Sequence, residues 1–223
     1  MLDIGLPRWW PLTGILGLVL IGVGTLLPGF PPAAGASAKD VAAYYTANPQ
    51  AVQQGTYLAG LGGILWLWFA VAFYWVLRKT EGHAVWSLSY FAGSIVLGAV
   101  STIGLIPAIV LSQPSITTAL PELVLALNSF VLASGAIAGF SGALLTLSAS
   151  VLIIRSGIIA KWIGWLGALA TLLELGAASG LYVARGPFAA NGIETLVALG
   201  IFSSWTIAIA VALMIKQNPA PAL

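Results

Sequence analysis

The sequence predicts an all-α fold: a polytopic membrane helix bundle with about six transmembrane helices plus short outer interfacial helices. Three observations predict it. First, 60% of the residues are hydrophobic and only 6% are charged, with a mean hydropathy of +1.03, whereas an ordinary soluble domain carries about 25% charged residues. So few charges cannot cover a water-facing surface, and lipid must be the solvent for most of it. Second, apolar runs as long as a bilayer crossing, roughly 20 residues, alternate with short polar or proline-containing turns. Third, glycine, alanine and serine recur at helical spacing, which gives narrow faces where helices approach closely. The whole chain, 1–223, reads as one integral membrane domain.

The first span is expected at about 9–27, with Gly14, Gly17 and Gly24 on one face around Ile21. Arg8, the run 12–27 and the small residues Ala36, Ser37 and Ala38 have the outline of a signal peptide, but the segment is read as a retained membrane helix. Prolines from Pro28 to Pro32 end it. Ser37 followed by Asp40 has the form of a capping box. A short outer helix is expected at about 38–47, with Tyr44 and Tyr45 suited to a membrane interface.

The second span, about 50–77, carries a small-residue face of Gly55, Ala59, Gly62 and Gly63, then an aromatic run from Trp66 to Trp75. Those rings divide between an interfacial belt and core packing, or line a cavity for an apolar ligand. Arg78, Lys79, Glu81, Gly82 and His83 form a polar turn. The third span, about 84–111, presents Ser94, Gly98, Ser101 and Ala108, and Pro107 is expected to kink or end it. A polar loop, 112–120, follows, with Thr117 or Thr118 as a cap and Pro121 at a first helical position. The apolar stretch 121–155 is too long for one crossing. It is therefore divided into an outer or re-entrant helix, 121–134, and a fourth span, 135–155, with a stripe of Gly135, Gly139, Gly142, Thr146 and Ala149.

The fifth span, about 162–183, holds Glu174 on a face with Gly167, Ala170, Thr171, Ala177 and Ala178, while Gly176 and Gly180 form a GxxxG pair on another side. That helix is expected to be central. The sixth span, about 192–215, has Glu194 in its first turn, where the helix dipole favours a carboxylate. Lys216 ends it. With six crossings and a cytoplasmic N-terminus, Arg8, Arg78, Lys79, Arg155, Lys161 and Lys216 fall inside and only Lys39 and Arg185 outside. The positive-inside rule favours that orientation, with both termini cytoplasmic in a bacterial plasma membrane.

The segments SAKDVAAYYTANPQAVQQGTYLAG and RSGIIAKWIGWLGALA resemble an uncharacterised family of six-span bacterial membrane proteins common in actinobacteria. In that family a tyrosine-bearing outer helix follows the first span, and a basic turn with tryptophans precedes the fifth. The resemblance implies the six-span architecture and no catalytic residue.

Composition narrows the chemistry. No Cys and a single His, His83, leave no disulfide, thiol catalysis, haem ligation or His-based metal centre, so no metal and no cofactor are expected. A net charge of +2 without a cluster excludes nucleic acid as a partner. The expected partners are the lipid bilayer, a small apolar or amphiphilic ligand, and a homo-oligomer or larger membrane complex. An intramembrane carboxyl marks a functional site by default, which singles out Glu174. Glu194, Glu122, Asn128, Thr171 and Arg185 are grouped with it as ligand-binding candidates, and Gln53 and Gln54 could join them. Together they would form an outward-opening pocket roofed by 38–47, the start of the second span and 121–134.

Three functions fit this reading. The first is binding or transport of a small amphiphile, lipid or cation, with Glu174 as the coupling group. The second is a membrane enzyme of cyclase or isomerase type that uses Glu174 as its acid beside the aromatic run. The third is an accessory subunit of a larger complex. A packing role is the structural counterpart: a protonated Glu174 hydrogen-bonded to Thr171 or a serine.

Overall fold

The computed structural model describes residues 7–117, 120–183, 186–190 and 192–217. Its helices are α1 (Leu12–Leu26), α2 (Ala38–Ala47), α3 (Pro49–Arg78), α4 (Val85–Leu111), α5 (Pro114–Thr117), α6 (Pro121–Ser156), α7 (Lys161–Ala178) and α8 (Ile193–Gln217). A 3-10 turn, Ser179–Leu181, extends α7. Among the described residues, five helices are long and apolar enough to cross a bilayer: α3, α4, α6, extended α7 and α8. Leucine, isoleucine and valine side chains such as Leu16, Ile64, Ile103, Leu172 and Ile215 lie exposed around the outside. Apolar surface on that scale needs lipid against it. The chain is a multi-pass membrane protein.

The expected first span is the exception in length. Pro11 precedes α1 and Pro28 follows it, so its 15 residues cover only about 22 Å, against roughly 30 Å of hydrocarbon. A second difference concerns 121–155. The division at Gly135 does not occur, and α6 is one helix of 36 residues. No proline interrupts it after Pro121, and unbroken helical bonding keeps its backbone groups paired in apolar surroundings. At about 54 Å it outreaches the hydrocarbon core. Pro107 does not end α4, which continues to Leu111. The 112–120 loop contains α5, and the capping expectation at Thr118 lies outside the described residues.

Six helices form a closed ring. In order, α1, α3, α4, α6, α7 and α8 each pack on the next, and α8 returns to α1. Glycine sets the closeness of two of these seams. A methyl group on Gly17 would lie 2.7 Å from the backbone nitrogen of Trp66 and 2.8 Å from the carbonyl of Gly62. Gly24 meets the backbone of Gly55 and Ala59 in the same way. The faces expected from spacing on the first two spans therefore meet each other, except that Gly63 faces open space. On α4 the buried face is Tyr90, Gly93, Ser94, Gly104 and Pro107, with Gly93 against Leu145 and Gly104 against Ser134. A methyl on Gly98 would meet nothing within 4 Å, and Ser101 is exposed.

The two ends of the ring differ. At the basic end a core of rings and aliphatics gathers Trp10, Phe69, Phe73, Tyr90, Leu145, Ile163 and Trp205. Lys216 closes this end by donating to the carbonyl of Ile158 at 2.6 Å. At the opposite end α2 docks as a cap, with Val41 and Tyr45 buried against Val52, Leu111 and Val124. The expected capping box is present: Ser37 accepts from the Asp40 amide at 3.2 Å and donates to its carboxylate at 2.7 Å. Tyr44 donates to the carbonyl of Gly29 at 2.7 Å, and burial pushes its phenol up to about 12. Tyr45 is buried in the core under α2, in a cluster with Val52, Leu111 and Val124.

Glu81 organises the turn between α3 and α4. Its carboxylate accepts from the amides of Trp86 at 2.8 Å and Ser87 at 2.9 Å, doing the capping that Ala84, the residue before the helix, has no side chain to do. Desolvation works against the charge, but these two N–H bonds, the Ser87 hydroxyl and nearby Arg78 outweigh it and hold the carboxyl below its usual range.

Two predictions follow from the packing and the cap. Gly24→Leu should lower the detergent melting temperature sharply, costing more than about 3 kcal/mol because the obstacle is backbone, while Gly22→Leu, which faces open space, should leave it unchanged. Glu81→Gln should destabilise by about 1 kcal/mol at neutral pH. Because the folded carboxyl sits low, its stabilisation is complete above the ordinary glutamate range and is lost as pH falls through the folded value. Melting curves of the two proteins should therefore converge in acid.

Candidate functional site

The site is built on the seam between α6 and α7. The small faces expected on these two helices meet at Gly139, Gly142 and Thr146 on one side and Thr171, Glu174 and Ala178 on the other. Gly135, at the head of the expected stripe, is exposed. The hydroxyls of Thr146 and Thr171 lie 2.9 Å apart, and Thr171 also donates to the carbonyl of Gly167 at 2.9 Å. This pair zips the middle of the seam. One turn on, Glu174 lays its carboxyl over Gly142, so that a methyl there would sit 2.8 Å from its Oε2. In this pose the carboxyl occupies the space that a side chain at 142 would take. Thr171 is thus committed to Thr146 and to its own helix, not to Glu174.

The second acid comes from α8. Glu194 is the second residue of that helix, with its amide bonded to the carbonyl of Pro187 at 3.1 Å. Its side chain turns inward against α7, where a methyl on Gly176 would lie 2.5 Å from its Oε1. Gly180, one turn further, receives the backbone of Ala190. The GxxxG pair is therefore the seat of the α7–α8 connection and of Glu194, and α7 is packed on both sides as expected. Glu194 is only 9% exposed, and neither carboxyl oxygen has a hydrogen-bond partner among the described residues. The Ser179 hydroxyl, just past the end of α7, is buried and unpaired in the same sense. Glu194 thus rests at a position two residues along α7 from Glu174.

The remaining candidates separate. Asn128 lies 14 residues before Gly142 on α6, about 21 Å along its axis, and donates to the carbonyl of Pro32 at 3.1 Å. It ties the link between α1 and α2 to the bundle. Glu122 is exposed in the first turn of α6, about 30 Å from Gly142. The unbroken α6 carries both away from Glu174, which a separate 121–134 helix folded over the mouth would not have done. Gln53, exposed, donates to the Ser112 hydroxyl at 3.2 Å. Gln54 lines a shallow surface depression of about 450 Å³ with Leu27 and Tyr57. Arg185 lies outside the described residues.

The aromatic run divides by helix side. Trp68 and Trp75 face outward, while Trp66, Phe69 and Phe73 are buried. Trp66 packs on Phe202 at 5.7 Å between centroids, and Phe202 on Trp205 at 5.9 Å. These rings fill the core with one another, eight or more residues along α8 from Glu194, about 12 Å toward the basic end. The indole nitrogens of Trp66 and Trp205 are unpaired among the described residues.

No protein-family model matches the chain, and neither a curated protein nor a solved structure matches it. The resemblance drawn above stands on its two segments alone.

The seam geometry separates two kinds of glycine. Gly139→Ala would meet the backbone carbonyl of Glu174 at 2.5 Å, whereas Gly142→Ala meets only the end of a side chain. The first should lower the detergent melting temperature clearly. The second should nearly retain it while changing the rate at which a hydrophobic carbodiimide labels Glu174, read by mass spectrometry.

Proposed function

We propose that the protein binds a proton or small cation at Glu174 and Glu194 and couples this to the movement of a small cationic or amphiphilic solute. The observation that carries this reading is Glu194: a carboxyl nine-tenths buried, with both oxygens unpartnered among the described residues, seated at Gly176 two residues along α7 from a second acid, Glu174. A bare buried carboxylate is far too costly to persist, so it takes up either a proton or a cation. Glu174, half-buried on α7, and Glu194, seated against the same helix, repel when both are charged, and binding one positive charge relieves that repulsion. Their helices meet through glycine, a contact that admits small relative shifts because few interlocked side chains oppose them.

In this reading the basic end faces the cytoplasm of a bacterial cell, since Arg78, Lys79, Arg155, Lys161 and Lys216 border its turns. The acids then lie toward the external half, about 20 Å from Lys161 along α7. Lipid-exposed faces leave a homo-oligomer compatible with this function.

The test is uptake of tetraphenylphosphonium into proteoliposomes under an imposed proton gradient. Glu174→Gln and Glu194→Gln should each abolish gradient-driven uptake while eluting as folded protein. Flux equal to wild type in both variants would overturn the reading.

A further inference from the structure

The basic end carries a second feature, distant from the acids. The turn held by Glu81 lies against the last turn of α6, and between them is a cleft of about 500 Å³ whose lining includes Glu81, His83, Val85, Trp86, Leu152 and Arg155. Glu81 is already engaged by the amides of Trp86 and Ser87, and Arg78 donates to its backbone carbonyl at 2.7 Å. Both of its carboxylate oxygens are therefore already engaged within the turn. Ser156 is likewise occupied, donating to the carbonyl of Leu152 at 2.6 Å. Arg155 is exposed, and among the described residues no acid forms an ion pair with it. Arg78, Lys79 and Arg155 stand against Glu81 alone in these two segments, so the local balance is positive.

The walls of the cleft are of a different kind. Val85 is 64% and Leu88 51% exposed, and both continue the outer apolar surface of α4 directly from the cleft. Trp86 packs against the core with part of its indole still accessible. A ligand seated here meets a guanidinium and an imidazole at its polar end and a hydrocarbon-facing helix along its length. A free anion would use only the first half of that arrangement, whereas a phospholipid uses both. Arginine suits a phosphodiester because its fork presents parallel donors to two oxygens. Basic pockets between helices near the polar boundary are suited to anionic headgroups.

We infer that this cleft is a binding site for an anionic phospholipid, with the phosphate on Arg155 beside His83 and an acyl chain along Val85 and Leu88. This reading is independent of the acid pair and survives or fails separately from it.

The experiment is native mass spectrometry of detergent-purified protein titrated with phosphatidylglycerol or phosphatidylcholine, with melting temperatures measured in parallel. Wild type should retain phosphatidylglycerol in preference to phosphatidylcholine. Arg155→Gln should weaken phosphatidylglycerol retention roughly fivefold, the effect of one basic residue near an anionic lipid, with phosphatidylcholine unaffected. Lys39→Gln, an exposed cation at the opposite end, should leave both unchanged. Millimolar inorganic phosphate should not displace the lipid. Equal retention in wild type and Arg155→Gln at matched melting temperature, an equal loss in Lys39→Gln, or displacement by phosphate alone would overturn the assignment.

Discussion

Contact between helix backbones governs the spacing of this bundle, and glycine is what permits it. On the α1–α3 seam, Gly17 and Gly24 meet the main chain of Gly62, Trp66 and Gly55 with no side chain between. On the α6–α7 seam, Gly139 meets the carbonyl of Glu174 in the same way. Where lipid removes the hydrophobic drive for association, this closeness lets dispersion contacts accumulate. It also decides what else fits. Gly142 and Gly176 leave space at which a carboxyl, not a methyl, comes to rest. The acids are thus held by the absence of side chains opposite them, and the site is a by-product of the packing that builds the ring.

The polar chemistry of the molecule is divided between its ends. The basic end is a set of short turns, one of them fixed by the Glu81 carboxylate on two amides, with cations left to face the polar boundary. The opposite end is closed by α2, seated through Val41 and Tyr45 and latched by Asn128 on Pro32 and Tyr44 on Gly29. Between these ends lie the two acids and the threonine pair. A protein that needed Glu194 only to span lipid would gain from an apolar residue in its place, because a buried carboxyl with both oxygens unpartnered among the described residues is destabilising. In the proton- or cation-binding reading that instability is what drives the binding.

Much of the secondary structure was legible because local signals marked it. Ser37 and Asp40 announced α2, Pro121 opened α6, and Pro28 ended α1. The stripes on α1, α3, α6 and α7 were legible because small residues at helical spacing have few other uses in lipid. The face of α4 was misread at Gly98 and Ser101, since that helix offers small residues on more than one side and periodicity alone does not choose between them. Glu81 as a helix cap was not foreseen: its side chain reaches forward across five and six positions, beyond the usual box spacing. The candidate site was partly legible. Glu174 stood out as an acid in an apolar run, but the grouping with Asn128 and Glu122 assumed a break at Gly135 that α6 does not make.

By itself the sequence determined the solvent and the repertoire. With so few charges the chain belongs in lipid, and small-residue stripes ensure that its helices pack closely. Without cysteine, and with one histidine, acid chemistry rests on a handful of carboxyls. Only the tertiary structure decided which stripe faces which, that Glu194 turns inward onto Gly176, and that Thr171 pairs with Thr146 and not with Glu174. The physical reason is that burial of a carboxyl depends on the room left by another helix. That room is set by partners far apart in the chain, and periodicity within one helix carries no record of it.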